Sequence, residues 1–117
     1  MGYKDAYTVI ERRRKASILM DQYPDRVPIL IEPAKGQKVS SGTVLDKNKF
    51  LTPRDFTLGQ LMHLLRKKII MPPEKALFMF VNNKTYPVTT SMGLIYDTNR
   101  DEDGFLYITY CEESTFG

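Results

Sequence analysis

His63 and Cys111 are the only histidine and the only cysteine in the 117-residue chain. A Cys–His pair needs proximity in space rather than in sequence, so the composition permits one such dyad and no second. His63, however, falls on the polar side of an amphipathic helix, and Cys111 directly follows a strand of the buried type. Cys111 therefore reads as a small hydrophobe at a strand end. A zinc site on one His and one Cys would need two carboxylates as well, an uncommon structural set. Neither GxxxxGK nor GxGxxG occurs, so no phosphate-cradling loop is indicated. The expectation is a non-enzyme that uses no cofactor. The C-terminus offers different chemistry. Residues 112–117, EESTFG, carry no core periodicity and end in Gly117. A protruding tail of this kind suits a modifier activated at its own carboxylate. Without a Cβ the terminal residue enters a narrow channel, and its carboxylate can be adenylated and passed to thiols. A terminal glycine alone is an unspecific signal.

The element that must position the rest is residues 57–69, TLGQLMHLLRKKI. Thr57 and Gln60 have the spacing of a capping box. Leu58, Leu61, Met62, Leu65 and Ile69 follow at i, i+3, i+4, i+7 and i+11, one apolar face of a helix. Arg66, Lys67 and Lys68 complement the dipole in the last turn, and Pro72-Pro73 forbids continuation. Gly59 costs up to about 1 kcal/mol inside a helix, which predicts a close packing contact there.

A second capping box, Thr8 with Glu11, precedes Ala16, Leu19, Met20 and Tyr23, and a helix is expected over 8–22, stopped at Tyr23-Pro24. Glu11, Arg12, Arg13, Arg14 and Lys15 are assigned to a solvated face, with a nuclear signal or a lipid-facing patch as alternatives. Val27, Ile29 and Ile31 alternate with Pro28, Leu30 and Glu32, predicting a strand buried mostly on one face and pushed toward an edge by Pro28. Residues 33–43 read as a loop and 47–52 as a short strand ending at Pro53. Residues 72–76 can make one turn, and 77–81, apolar on both parities, read as a strand covered on both faces. Asn82-Asn83 marks a turn, Thr89 or Thr90 would cap a short helix through Met92, Leu94 and Ile95, and 97–104 forms a polar loop. Residues 105–110 make the last strand. Neither repeats nor low-complexity segments appear.

A chain of this length builds one core without disulfides or metals. Its net charge of +3 and pI near 9.0 favour contact with anionic lipid or acidic peptides but do not indicate a nucleic-acid binder. A single cysteine fits a reducing compartment. No apolar run reaches the roughly 20 residues of a membrane span. The start, MGYKDA, lacks a signal peptide, and Ala6 breaks the myristoylation pattern. Asn83-Lys84-Thr85 is a chance glycosylation triplet in that context. A soluble, cytoplasmic, monomeric single domain is expected.

Specific blocks then carry a resemblance. In order they are Tyr23-Pro24-Asp25-Arg26-Val27-Pro28; Leu45-Asp46-Lys47 with Lys49-Phe50-Leu51 and Pro53; Leu58-Gly59-Gln60; Leu64 with Arg66-Lys67; Ala76-Leu77-Phe78 with Phe80-Val81-Asn82-Asn83; Ser91-Met92-Gly93; Phe105-Leu106-Tyr107-Ile108; and Glu113-Ser114 with Gly117. This series, from about residue 11 to the last, resembles the GABARAP-type autophagy modifiers, the ubiquitin-like autophagy-related protein eight family. The resemblance implies an α+β, ubiquitin-like β-grasp roll: a four-stranded mixed sheet around one central helix, with two extra N-terminal helices. It implies one domain over 1–117, divided into a helical extension (1–23), the β-grasp core (24–111) and a flexible tail (112–117).

The resemblance further implies that Gly117 is the attachment point. An activating and a conjugating enzyme would carry it as thioesters, and it would end as an amide on phosphatidylethanolamine, after a cysteine protease exposes it. Whether Gly117 is an encoded or a processed end stays open. The chain would then be cytoplasmic, and on the autophagosome membrane when lipidated. The family also binds aromatic-x-x-aliphatic peptides as a strand added beside the second strand. By position, Leu19, Pro28, Lys49, Leu51 and Phe105 match the pocket for the aromatic residue. Phe50, Pro53, Phe56, Leu61 and Leu64 match that for the aliphatic residue, and Lys47, Lys49 and Lys68 would meet acidic flanks. Leu61 and Phe105 fit core packing equally well, whereas Leu64 lies beside the core stripe where a groove rim belongs. The chain departs from the pattern at Lys15, where glutamate is usual near the aromatic pocket, at 18–22, which lacks the usual basic run, and at Thr52, in place of an apolar residue. The alternative reading is a docking domain of the same fold that binds receptor tails or cytoskeleton through the basic N-terminal helix without conjugation.

Overall fold

The computed structural model describes residues 2–34, 48–68 and 76–112. Within them the elements run α1 (Tyr3–Ala6), α2 (Val9–Gln22), β1 (Arg26–Pro33), β2 (Lys49–Pro53), α3 (Leu58–Lys68), β3 (Leu77–Phe80), α4 (Met92–Asn99) and β4 (Leu106–Glu112). The sequence order of helices and strands is as expected, with α1 as the second N-terminal helix. Both capping boxes form. The Thr8 amide donates to Glu11 Oε1 (2.8 Å), and the Glu11 amide returns to Thr8 Oγ1 (3.2 Å). The Thr57 amide donates to Gln60 Oε1 (2.8 Å), and the Gln60 amide to Thr57 Oγ1 (3.2 Å). Orphan amides of each first turn are thereby satisfied from within the turn. Ile69 lies outside the described residues, as do the turn expected at 72–76 and most of the 33–43 loop.

The described strands form one mixed sheet in the order β2-β1-β4-β3. β1 is antiparallel to β2 and parallel to β4, and β3 is antiparallel to β4. One face of the sheet presents Val27, Ile29, Ile31, Leu106, Ile108 and Tyr110 to Leu58, Leu61 and Leu65 of α3 and to Met92, Ile95 and Tyr96 of α4. The opposite face presents Leu30, beside Phe105, to Tyr3 and Ala16 of the N-terminal helices. The helical extension is therefore the second lid of the sheet.

This two-sided burial corrects several expectations. β1 is a central strand with both faces covered, not an edge strand. Pro28 is tolerated because the Ile31 amide donates to Asn48 O (2.9 Å), which makes Ile29–Phe50 and Val27–Thr52 the bonded pairs by alternation. The nitrogen of Pro28 thus faces away from β2, one position before the β4 ladder opens at Ile29–Leu106. β3, expected to be covered on both faces, is instead the other edge of the sheet, and Phe78 is 43% exposed. Its apolar double parity reflects a short edge strand, not a buried one. Asn82 and Asn83 do turn the chain, both with positive φ, and Val81 and Lys84 bridge behind them.

The cap of α4 is Ser91, whose Oγ accepts the Leu94 amide (3.2 Å), rather than Thr89 or Thr90. Residues 88–90 serve α3 instead. The Thr90 carbonyl accepts the Leu58 amide (2.9 Å), and the Val88 carbonyl accepts the Gly59 amide (2.8 Å). A Cβ on Gly59 would stand 3.2 Å from both Val88 Cβ and Val88 O, which is the close contact its presence predicts. The expected 97–104 loop starts later, since α4 runs to Asn99.

Nor is α2's charged face wholly solvated. Arg12 Nη1 meets Asp103 Oδ2 at 3.0 Å, Arg13 Nη2 meets Glu102 Oε1 at 3.3 Å, and Lys4 Nζ meets Asp101 Oδ1 at 2.6 Å. Asp103 is buried and also accepts the Tyr107 hydroxyl (2.6 Å) and the Phe105 amide (2.8 Å). Burial and that hydrogen bond hold the Tyr107 phenol well above its ordinary pKa. Gly104, at φ +95°, allows the loop to close on Ala16, whose Cβ would sit 3.0 Å from an added Cβ.

Leu65 is fully buried and Leu64 only half so. Leu65→Ala is expected to lower unfolding free energy by about 3 kcal/mol, and Leu64→Ala by under about 1 kcal/mol. Urea titration followed by circular dichroism checks the pair, and equal losses would contradict the assignment of faces.

Candidate functional site

Among the described residues, β2 is paired on one side only, with β1. The bonded pairs place the backbone groups of Asn48, Phe50 and Thr52 toward β1, which leaves the N–H and C=O of Lys49 and Leu51 pointing outward. An edge with free donors and acceptors at every second residue is a template for another strand. Side chains on β2 also divide by parity. Lys49 and Leu51, opposite Leu30 and Pro28, lie on the face of the N-terminal helices, while Phe50 and Thr52, opposite Ile29 and Val27, lie on the α3 face.

On the N-terminal side the structure brings Leu19, Pro28, Lys49, Leu51 and Phe105 into one region. Leu19 packs on the cluster of Tyr3, Ala16, Leu30 and Phe105, and Lys49 Nζ lies 5.9 Å from the centre of the Phe105 ring. Phe105 and Pro28 are buried, and Leu51, Leu19 and Lys49 are half-exposed beside them. Burial, and then the nearby charge of Lys15, lower the pKa of Lys49. Tyr3 and Tyr7 belong to the same cluster and were not among the residues expected. Their rings stand 4.8 Å apart, Tyr3 meets Phe105 edge-on at 5.5 Å, and Lys49 Nζ lies 5.5 Å from the Tyr3 ring. The signal was present as two tyrosines spaced i, i+4.

On the α3 side, Phe50 and Phe56 are half-buried against the main core that contains Leu61. Leu61 itself is fully enclosed and serves as packing beneath them. Pro53 is half-exposed at the end of β2. Phe56 and Leu64 line an apolar cleft of about 570 Å³ that continues past Gly59 and His63 to Val88. Lys68 is exposed at the end of α3. Lys47 and Gly117 lie outside the described residues.

The sequence matches the family described as "Autophagy protein Atg8 ubiquitin like" over residues 11–117. It is 46% identical over 109 residues to autophagy-related protein 8c of Arabidopsis thaliana, covering 92% of this chain and 89% of that protein. Against autophagy-related protein 8 of Saccharomyces cerevisiae the identity is 39% over 115 residues, covering 98% and 96%. The crystal structure of Trypanosoma brucei ATG8 superposes with a TM-score of 0.89 at 38% identity, covering 100% of this chain and 98% of that one. The chain belongs to the Atg8 family. As an Atg8-family protein it is an autophagy-related, ubiquitin-like protein with an α+β β-grasp fold.

The two reactive residues of this Atg8-family chain are kept apart by the sheet. Cys111 pairs in register with exposed Phe78, on the face away from α3, whereas His63 is exposed on α3. Burial raises the pKa of the Cys111 thiol, which suppresses the nucleophilic thiolate. Among the described residues, no group of three or more His, Cys, Asp or Glu is arranged to hold a metal, and no helix is long and apolar enough to cross a membrane. Since a raised thiol pKa lowers the thiolate fraction at pH 7.5, Cys111 is expected to react with iodoacetamide more slowly than a cysteine peptide. Mass spectrometry of the time course checks this, and a rate matching or exceeding that of the peptide would refute it.

Proposed function

We propose that the chain is a GABARAP-type modifier and adaptor rather than an enzyme, conjugated through Gly117 to phosphatidylethanolamine on autophagic membranes. There it recruits receptors by binding aromatic-x-x-aliphatic peptides at β2. The observation that carries the peptide reading is the outward-facing backbone of Lys49 and Leu51 between pockets on opposite faces of one edge. In an extended peptide, residues three apart point to opposite faces. The first and fourth side chains of such a motif therefore enter different pockets, one beside the N-terminal helices and one beside α3. Backbone pairing fixes register and the pockets provide selection.

The conjugation reading is supported by membership of the family and by the glycine at position 117. It calls for an activating enzyme, a conjugating enzyme and a processing or deconjugating cysteine protease as partners. The chain is then a cytoplasmic monomer until lipidated, and resides on the autophagosome membrane afterwards. The docking-only alternative loses support because Arg12 and Arg13 are engaged by Asp103 and Glu102.

In a reconstituted conjugation reaction on phosphatidylethanolamine vesicles, Gly117→Ala is expected to abolish the lipidated species while leaving the melting curve unchanged. A lipidated Gly117→Ala product would reject that half of the reading. Lys49→Ala combined with Leu51→Ala is expected to weaken a Trp-x-x-Leu peptide at least roughly tenfold by calorimetry. Unchanged affinity would discard the groove.

A further inference from the structure

Ser17 stands exposed in the middle of α2, with Arg13 and Arg14 one turn before it and Ile18 directly after it. The run Arg13-Arg14-Lys15-Ala16-Ser17-Ile18 thus places three cations shortly ahead of a hydroxyl and an apolar side chain behind it. Ser17 Oγ makes no hydrogen bond among the described residues, unlike Thr98, whose Oγ1 donates to the Leu94 carbonyl at 2.8 Å. Arg14 likewise makes no ion pair among them. Ser17 opens on a shallow cavity of about 330 Å³ that is also lined by Arg13, Asp21, Glu102 and Asp103. α2 is sparingly attached. Of its 14 residues only Ala16 is buried, and the ion pairs Arg12–Asp103 and Arg13–Glu102 supply much of the remaining hold.

We propose that Ser17 is a phosphoryl acceptor for a basic-directed serine/threonine kinase, and that the phosphate loosens α2 from residues 101–104. Such kinases select substrates by the pattern of charge ahead of the hydroxyl, and Arg13, Arg14 and Lys15 supply that pattern. In the transfer, Ser17 Oγ attacks the γ-phosphorus of ATP and forms a new P–O bond. The bond from that phosphorus to the bridging oxygen breaks, and ADP leaves with its electron pair. The hydroxyl proton passes to the catalytic carboxylate of the kinase. A kinase cleft takes an extended segment, and α2, with one buried residue, has the small buried area of an element that opens locally. Once made, phosphoserine carries about −1.5 to −2 charges at pH 7. Arg13 and Arg14, at i−4 and i−3, are placed to pair with it. Arg13 is thereby drawn away from Glu102, from which it stands at 3.3 Å with both groups exposed. Across the cavity the phosphate meets Glu102 and Asp103, and Asp21 follows at i+4, all of them like charges. Modification trades an attraction between α2 and residues 101–104 for a repulsion.

The test incubates the full chain with the catalytic subunit of cyclic-AMP-dependent protein kinase and magnesium ATP. Tandem mass spectrometry maps the phosphate, and amide hydrogen exchange is followed on the purified product. Phosphate is expected on Ser17, and Ser17→Ala should abolish that incorporation. Arg14→Ala should slow it roughly tenfold, about the worth of one hydrogen bond to a charged group. Its melting curve should match the wild type, because Arg14 makes no ion pair among the described residues. In the phosphorylated chain, amides of α2 and of residues 101–104 should exchange roughly fivefold faster than in the unmodified one. That gain should shrink between about 0.05 and 0.5 M salt as screening sets in. Glu102→Gln, which removes both the attraction and the repulsion, should shrink it as well. The proposal is overturned if Ser17 takes up no phosphate, if Arg14→Ala is modified at the wild-type rate, or if phosphate leaves exchange in α2 unchanged or slows it.

Discussion

β1 is covered on both faces, and most of the geometry of this chain descends from that constraint. Its odd-numbered residues, Val27, Ile29 and Ile31, enter the core under α3, while Leu30 enters the smaller core under the N-terminal helices. A slip of one residue would exchange these sets and expose or strand every one of them, so the register of β1 is strongly specified. Register then propagates. With β1 set, Ile29 pairs Phe50 and Val27 pairs Thr52, and the backbone of Lys49 and Leu51 has nowhere to turn but outward. The outward-facing edge of β2 is a by-product of how the centre of the sheet is locked.

The same constraint explains why the helical extension of α1 and α2 sits on a domain that already has one helix-covered face. Without α1 and α2, Leu30 and Phe105 would lie open to water on the uncovered face. Burying them is the apolar part of the attachment, and Asp103 supplies the polar part. It accepts from Arg12, Tyr107 and Phe105 at once, so its carboxylate is hydrogen-bonded despite being only 2% exposed. A buried carboxylate so satisfied joins three elements in one network, and removing one partner would leave others unpaired. Thr52 lacks this provision. Its Oγ1 is buried without a hydrogen-bond partner among the described residues.

Local signals were the legible part of this fold. Thr8–Glu11 and Thr57–Gln60 announce helix starts because the two ends of a capping box are three residues apart, and Asn82-Asn83 announces a turn because asparagine tolerates positive φ. What escaped was everything that depends on a neighbour far along the chain. Pro28 read as an edge marker because proline lacks an amide, but only the offset of β4 reveals that no amide is wanted there. Residues 77–80 look buried on both sides because Phe78 is apolar, and sequence cannot say that β3 is the outermost of the described strands. The arginines of α2 read as solvated because their acids come some ninety residues later. In the candidate site, the resemblance named Leu19, Lys49 and Phe105, whereas the packing of Tyr3 and Tyr7 beside them and the proximity of Lys15 to Lys49 needed the coordinates.

A sheet whose described strands end in two open edges invites copies of itself to polymerise edge to edge. Here each border is ill suited to self-association. β3 is four residues long and gives way at once to the Asn82-Asn83 turn, too brief a seam to hold a neighbour. β2 opens on Lys49, and two such borders brought together would confront ammonium with ammonium before a ladder could form. Both borders are thereby poor templates for a second copy of the same sheet.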